Sequence, residues 1–205
     1  MTPIKSALLV FALLFSLPSI NYSQSYPNTL NTRPVVSVSA GISAFNYPSN
    51  YIDMYKPSYA ASLQFEHPVS NFISVGIEAN LSTFSLADNT LPSNSAALQH
   101  LSLFGFNFFG KIQPEQISIG KFHPFVKGGF GAHLRSGKPE TGFPYPRYVR
   151  INSGGLVYTF GPGVTYNLNK TNFVFIESAL RINKSSSPDI NYNTLNFALG
   201  FSHQF

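Results

Sequence analysis

Charged side chains are scarce in this sequence, so those that fall inside a regular pattern invite a chemical reading. Glu78, Lys127, Glu177 and Arg181 lie far apart, each among small and apolar neighbours. Two carboxylates and two cations gathered away from water must pair, because an uncompensated buried charge is costly. Such a set can act as a plug of salt bridges, or line a gated path for protons or small ions. His100-Leu-Ser102 is a second constellation. A serine nucleophile needs a histidine base within hydrogen-bond reach and a third group to orient that base. Residues two apart on one strand share a face, but no acid stands beside this pair, and Glu140 falls in a connection.

The remaining polar features are less pointed. His67, His123, His133 and His203 do not have metal-ligand spacing, and the chain holds 0 cysteines. Neither 128–131 (GGFG) nor 161–163 (GPG) opens a helix, so neither is a phosphate loop. Stretch 135–153 carries Arg135, Lys138, Arg147 and Arg150 against Glu140 alone, interleaved with Phe143, Tyr145 and Tyr148. Arginines so clustered suit anionic phosphate groups. Stretch 46–56, with Tyr47, Tyr51 and Tyr55, has the tyrosine content of an adhesive loop.

The elements that must position these residues are strands. Period-two alternation recurs over 35–45, 59–66, 72–84, 98–110, 122–134, 155–168, 173–182 and the closing stretch 195–205. On one face stand large residues, such as Val38 and Ile42, Leu63 and Phe65, Phe104 and Phe106, Phe160 and Val164, Ile176, and Leu199 and Phe201. On the other stand mostly Gly, Ser, Thr, Ala and Asn, with Glu78, Lys127, Glu177 and Arg181 among them. Small residues suit the cramped interior of a narrow barrel and make a poor water-facing exterior. The expected fold is therefore an all-β, closed up-and-down antiparallel barrel of about eight strands, with its apolar face toward lipid. Tyr59, Tyr158 and Tyr166 are candidates for interfacial girdles. Connections alternate between short (67–71, 167–172) and long (46–56, 85–97, 135–153, 183–193). Stretch 110–121 departs from that rhythm, and its flanking strands are expected to continue beyond the membrane.

Composition agrees. The chain has 205 residues with 10% charged and 15% aromatic, against about 25% charged in ordinary soluble domains. The pI near 9.4 reflects a mild excess of Lys and Arg with no dense basic run, which excludes a nucleic-acid binder of the usual kind. Lys5, the apolar run from Ala7 to Pro18 and the Ser-Gln-Ser at Ser23–Ser25 form a signal-peptide pattern. The expected division is 1–25 signal peptide, 26–34 a short segment and 35–205 the barrel.

The alternating strands, uneven loops, signal pattern and aromatic C-terminal residue together resemble the small outer-membrane β-barrels of Gram-negative bacteria, the OmpA/OmpX type. Stretch 123–134 (HPFVKGGFGAHL) is similar to a strand common in those domains. The resemblance implies residence in the outer membrane and contact with its lipid and lipopolysaccharide. It also implies that Phe197, Phe201 and Phe205 are read by the outer-membrane assembly machinery, with His203 departing from the pattern. It implies further that the protein is a monomer with a structural or surface role, without catalytic activity, metal or other cofactor. A second resemblance, to outer-membrane lipid A deacylases with a His-x-Ser pair, rests on His100 and Ser102 and breaks at Leu103.

Overall fold

The computed structural model describes residues 33–87, 98–139, 153–185 and 191–205. The expected signal peptide lies outside the described residues. Eight antiparallel strands, each hydrogen-bonded to the next in sequence, close into a barrel. They are β1 (Val35–Tyr47), β2 (Ser58–Pro68), β3 (Ile73–Ser85), β4 (Leu98–Ile112), β5 (Phe122–Pro139), β6 (Ser153–Asn167), β7 (Asn172–Ser185) and β8 (Tyr192–Gln204). β8 closes on β1 in a register that pairs Val35 with Gln204 and Ala44 with Leu195. Closure gives every strand two partners, the arrangement a sheet needs where no water can satisfy its edges.

Three connections share one end with Pro34 and Phe205. At β2–β3 the Ser70 hydroxyl accepts hydrogen bonds from the amides of Phe72 and Ile73. At β6–β7 the Asn169 carboxamide oxygen accepts from the amides of Thr171 and Asn172 at 2.9 and 2.8 Å. Both are tight turns built by a side chain that mimics backbone. At β4–β5, β4 runs on past Gly110 to Ile112, and β5 begins at Phe122. Pro114, which has no amide to donate, follows the end of β4, and a 3-10 turn (Glu115–Ile117) with Gly120 at φ 60° completes the reversal. The other end carries the long connections. There 46–57 is not a simple loop, because it holds a short helix, α1 (Ser49–Met54), tied back by the amides of Lys56 and Ala87 to the carbonyls of Ser85 and Met54.

The alternation sorts side chains as expected and inverts the soluble rule. Phe130 and Phe160 are each 62% exposed on the outward face, with Val38, Leu63, Leu134, Ile176 and Leu199 similarly bare. Buried positions include Gln64, Glu66, Glu78, Asn107, Lys127, Thr159, Glu177 and Arg181. Nearer the short-turn end, inward phenylalanines pack over glycines of a neighbouring strand, Phe125 against Gly163 and Phe175 against Gly200. A β-carbon at either glycine would collide with the ring, so the missing side chain is the socket that holds it.

The rule that large means outward fails near the long-connection end. Phe45, Phe84, Leu101, Leu103 and Tyr192 are buried and form an apolar cluster with Tyr55. Tyr55, read from sequence as a loop residue for adhesion, is therefore withdrawn from the surface. Tyr47 remains exposed.

Candidate functional site

Glu78 on β3, Lys127 on β5, and Glu177 and Arg181 on β7 are brought together inside the barrel. Each lies on the inward parity of its strand, and closure sets these strands across the lumen from one another. Lys127 Nζ donates to Glu177 Oε2 at 2.7 Å and to Glu78 Oε2 at 3.1 Å. Arg181 Nη2 donates to Glu78 Oε1, and Arg181 Nη1 to Asn80 Oδ1 at 2.7 Å. Gln64 Nε2 donates to Glu177 Oε1 at 3.2 Å. Glu78, only 1% exposed, is thus shared by both cations, and Lys127 is shared by both carboxylates. Two positive and two negative groups leave the cluster formally neutral. Such a network satisfies buried charge that neither water nor lipid would.

A second pair went unforeseen. Lys111, in a stretch read as a turn, belongs to β4 and donates from Nζ to Glu66 Oε2 at 2.8 Å. Its ammonium also sits 5.1 Å from the Phe125 ring centre, and Lys127 stands 5.4 Å from that of Phe109. Packing of this kind leaves little free interior. A cavity of about 10 Å³ beside Ser39, Ser62, Glu177, Arg181 and Asn196 has room for roughly one water.

The other sequence candidates are not gathered here. Ser102 is half-buried on β4, opposite Thr83 and Ser136, and His100 pairs with Ser85 and Lys138. None of these four cross-strand positions supplies the carboxylate a triad needs. His123 is a structural histidine. Asn167 Nδ2 approaches its Nε2 at 2.9 Å, and its Nδ1 lies 2.9 Å from Ser118 Oγ, so both ring nitrogens are engaged in tying the turn to β6. His203 Nδ1 donates to Asn172 Oδ1 at 2.8 Å. Among the described residues, no group of three His, Cys, Asp or Glu side chains is placed to hold a metal.

The basic cluster at 135–153 needs correction. β5 extends to Pro139, so Arg135 is a strand residue on the inward parity and only 6% exposed. It is a lumen residue and not part of a phosphate-facing loop. Lys138 lies at the end of the same strand, while Arg147 and Arg150 fall outside the described residues. Phe197 and Phe201 lie on the outward face of β8, exposed, and Phe205 follows the strand with its amide donating to the Pro34 carbonyl at 3.1 Å.

The barrel is similar to solved structures of small outer-membrane barrels. Neisserial surface protein A aligns over 84% of this chain and 97% of its own, with a TM-score of 0.61 at 10% identity. The outer-membrane protein OprG of Pseudomonas aeruginosa aligns over 86% of this chain and 98% of its own, with a TM-score of 0.51 at 12% identity. At such identities the likeness is one of fold. No protein-family model matches the sequence, and no curated protein is similar to it in sequence.

Proposed function

We propose that this chain is an exported protein of the bacterial outer membrane, with a structural or surface-interaction role, a plugged lumen and no catalytic activity. The observation that carries this reading is the inversion of burial. Large apolar side chains cover the outside, whereas Glu66, Glu78, Lys111, Lys127, Glu177 and Arg181 are paired within. Only a hydrocarbon surround makes that arrangement favourable. The barrel anchors the chain, and on this reading Lys138, Arg147 and Arg150 contact lipopolysaccharide phosphates. Phe197, Phe201 and Phe205 serve recognition by the assembly machinery, and the assembled protein is a monomer without a cofactor. Cell fractionation tests this reading. The protein should partition with the outer membrane and run faster on an unheated gel than after boiling. Recovery in a soluble fraction with unshifted mobility would overturn it.

The neutral, packed lumen supports a plug over an open channel. The described residues in register with His100 and Ser102 on the neighbouring strands are Ser85, Lys138, Thr83 and Ser136, a set without a carboxylate, which favours this reading over a lipid A deacylase.

A further inference from the structure

Four rings form a chain across the lumen near the long-connection end. Phe84 of β3 lies 4.4 Å from Phe45 of β1, Phe45 lies 5.7 Å from Tyr192 of β8, and Tyr192 lies 5.6 Å from His133 of β5. The chain therefore reaches from one wall of the barrel to another. Leu101 and Leu103 of β4 fill beside it, and Tyr55 covers Phe45 at 5.4 Å from the connection above. Phe84, Leu101 and Tyr192 are each 1% exposed.

On the short-turn side of this layer the interior changes character. Both amide atoms of Asn107 and of Asn196, and the Thr159 hydroxyl, are buried without a protein hydrogen-bond partner. Buried polar atoms in that state call for water, and the cavity of about 10 Å³ beside Asn196 has room for roughly one. The layer is mostly hydrocarbon, with the His133 ring and the Tyr192 hydroxyl as its polar groups, so an ion crossing it would lose most of its hydration shell without replacement. We infer that this aromatic layer is a second barrier, in series with the ion-paired cluster and independent of it, that seals the lumen at the long-connection end. The inference rests on the membrane-barrel reading above.

It follows that breaking the ion cluster alone leaves the barrel closed. The experiment uses the full chain inserted in planar bilayers and in vesicles. Because the chain has no cysteine, Thr159→Cys introduces a single thiol level with Arg181, its partner across β6–β7. A membrane-impermeant cationic methanethiosulfonate is the probe. Glu177→Ala should remain silent in conductance. The thiol should be protected with the layer intact and lose protection with Phe84→Ser plus Tyr192→Ser. Those two substitutions combined with Glu177→Ala should conduct.

Conductance from Glu177→Ala alone would overturn the inference, as would labelling of the thiol with the layer intact. So would a thiol still protected, or a combined variant still silent, when the layer substitutions retain folded gel mobility. If the paired substitution unfolds, Tyr192→Ala alone serves in its place. Failure of the membrane reading itself would look different, since the unsubstituted chain would then neither insert nor show heat-modifiable mobility.

Discussion

Replacing Lys127 with methionine should expose how the lumen cluster shares its charge. Lys127→Met keeps the length of the side chain and removes the ammonium that bridges Glu78 and Glu177 at 3.1 and 2.7 Å. The two carboxylates are not left equal. Glu78 keeps Arg181, whereas Glu177 keeps only the neutral amide of Gln64 at 3.2 Å. The damage is therefore concentrated at Glu177, and the lumen gains one net negative charge. Removing one partner of a buried pair costs about 3–5 kcal/mol, and that is the loss expected here. Adding Glu177→Gln should restore all but about 1–2 kcal/mol, the scale of an ordinary hydrogen bond. Adding Glu78→Gln instead should restore nothing, because it leaves Glu177 unpaired and also strips Arg181 of its carboxylate. The chain has 0 tryptophans, so folding in vesicles is best followed through urea by the mobility difference between folded and unfolded bands. A loss below about 1 kcal/mol for Lys127→Met would refute the reasoning, since it falls short of the buried-pair range. Equal rescue by the two glutamine substitutions would refute it as well.

Other expectations follow from the same geometry. Phe160→Arg, on the lipid-facing side of β6, should destabilise the inserted barrel by up to about 2–4 kcal/mol, measured by the same titration, with the cost shrinking for arginine placed nearer either rim. Gly163→Ala should cost about 1–3 kcal/mol, because its methyl group meets the Phe125 ring and the Ile176 carbonyl. Gly110→Ala, where a β-carbon meets nothing within 4 Å, is the matched control and should be nearly silent. Ser102→Ala should leave the acylation pattern of lipid A unchanged by mass spectrometry, whereas a lost deacylation product would restore the catalytic reading.

Much of the architecture was legible because hydrocarbon outside and a narrow interior impose one rule on every strand. Val38 and Ile42 against Ser37 and Ser43, or Phe160 and Val164 against Thr159 and Thr165, state that rule locally. It placed Glu78, Lys127, Glu177 and Arg181 on inward faces. Which of them touch depends on register across closure, and no local pattern carries that. The apolar layer was missed because size was read as direction. Strict parity would have found it, since Phe45 shares a face with Ser43, Phe84 with Glu78, and Leu101 and Leu103 with Asn107. Arg135 was misplaced for a related reason. Its parity matches that of Lys127 and His133, but Gly137 and Pro139 beyond it read as a loop, although β5 accommodates both. Lys111 was hidden by its nearness to Pro114, which marked the turn but not where β4 ends.

The central claim is that the barrel is inside-out, and solvent access at alternating positions tests it most directly. With no native cysteine to interfere, single thiols at Phe130, Phe160 and Ile176 can each carry a small fluorophore in a vesicle-inserted barrel, and unlabelled single thiols at Asn107, Thr159 and Glu177 can be tested for reaction with a lipid-soluble maleimide. Brominated lipid chains should quench the first three positions and aqueous iodide should not, while the thiols at the second three should stay unreacted. Quenching of Phe130, Phe160 and Ile176 by iodide, with no response to brominated lipid, would place that apolar face in water and contradict the account.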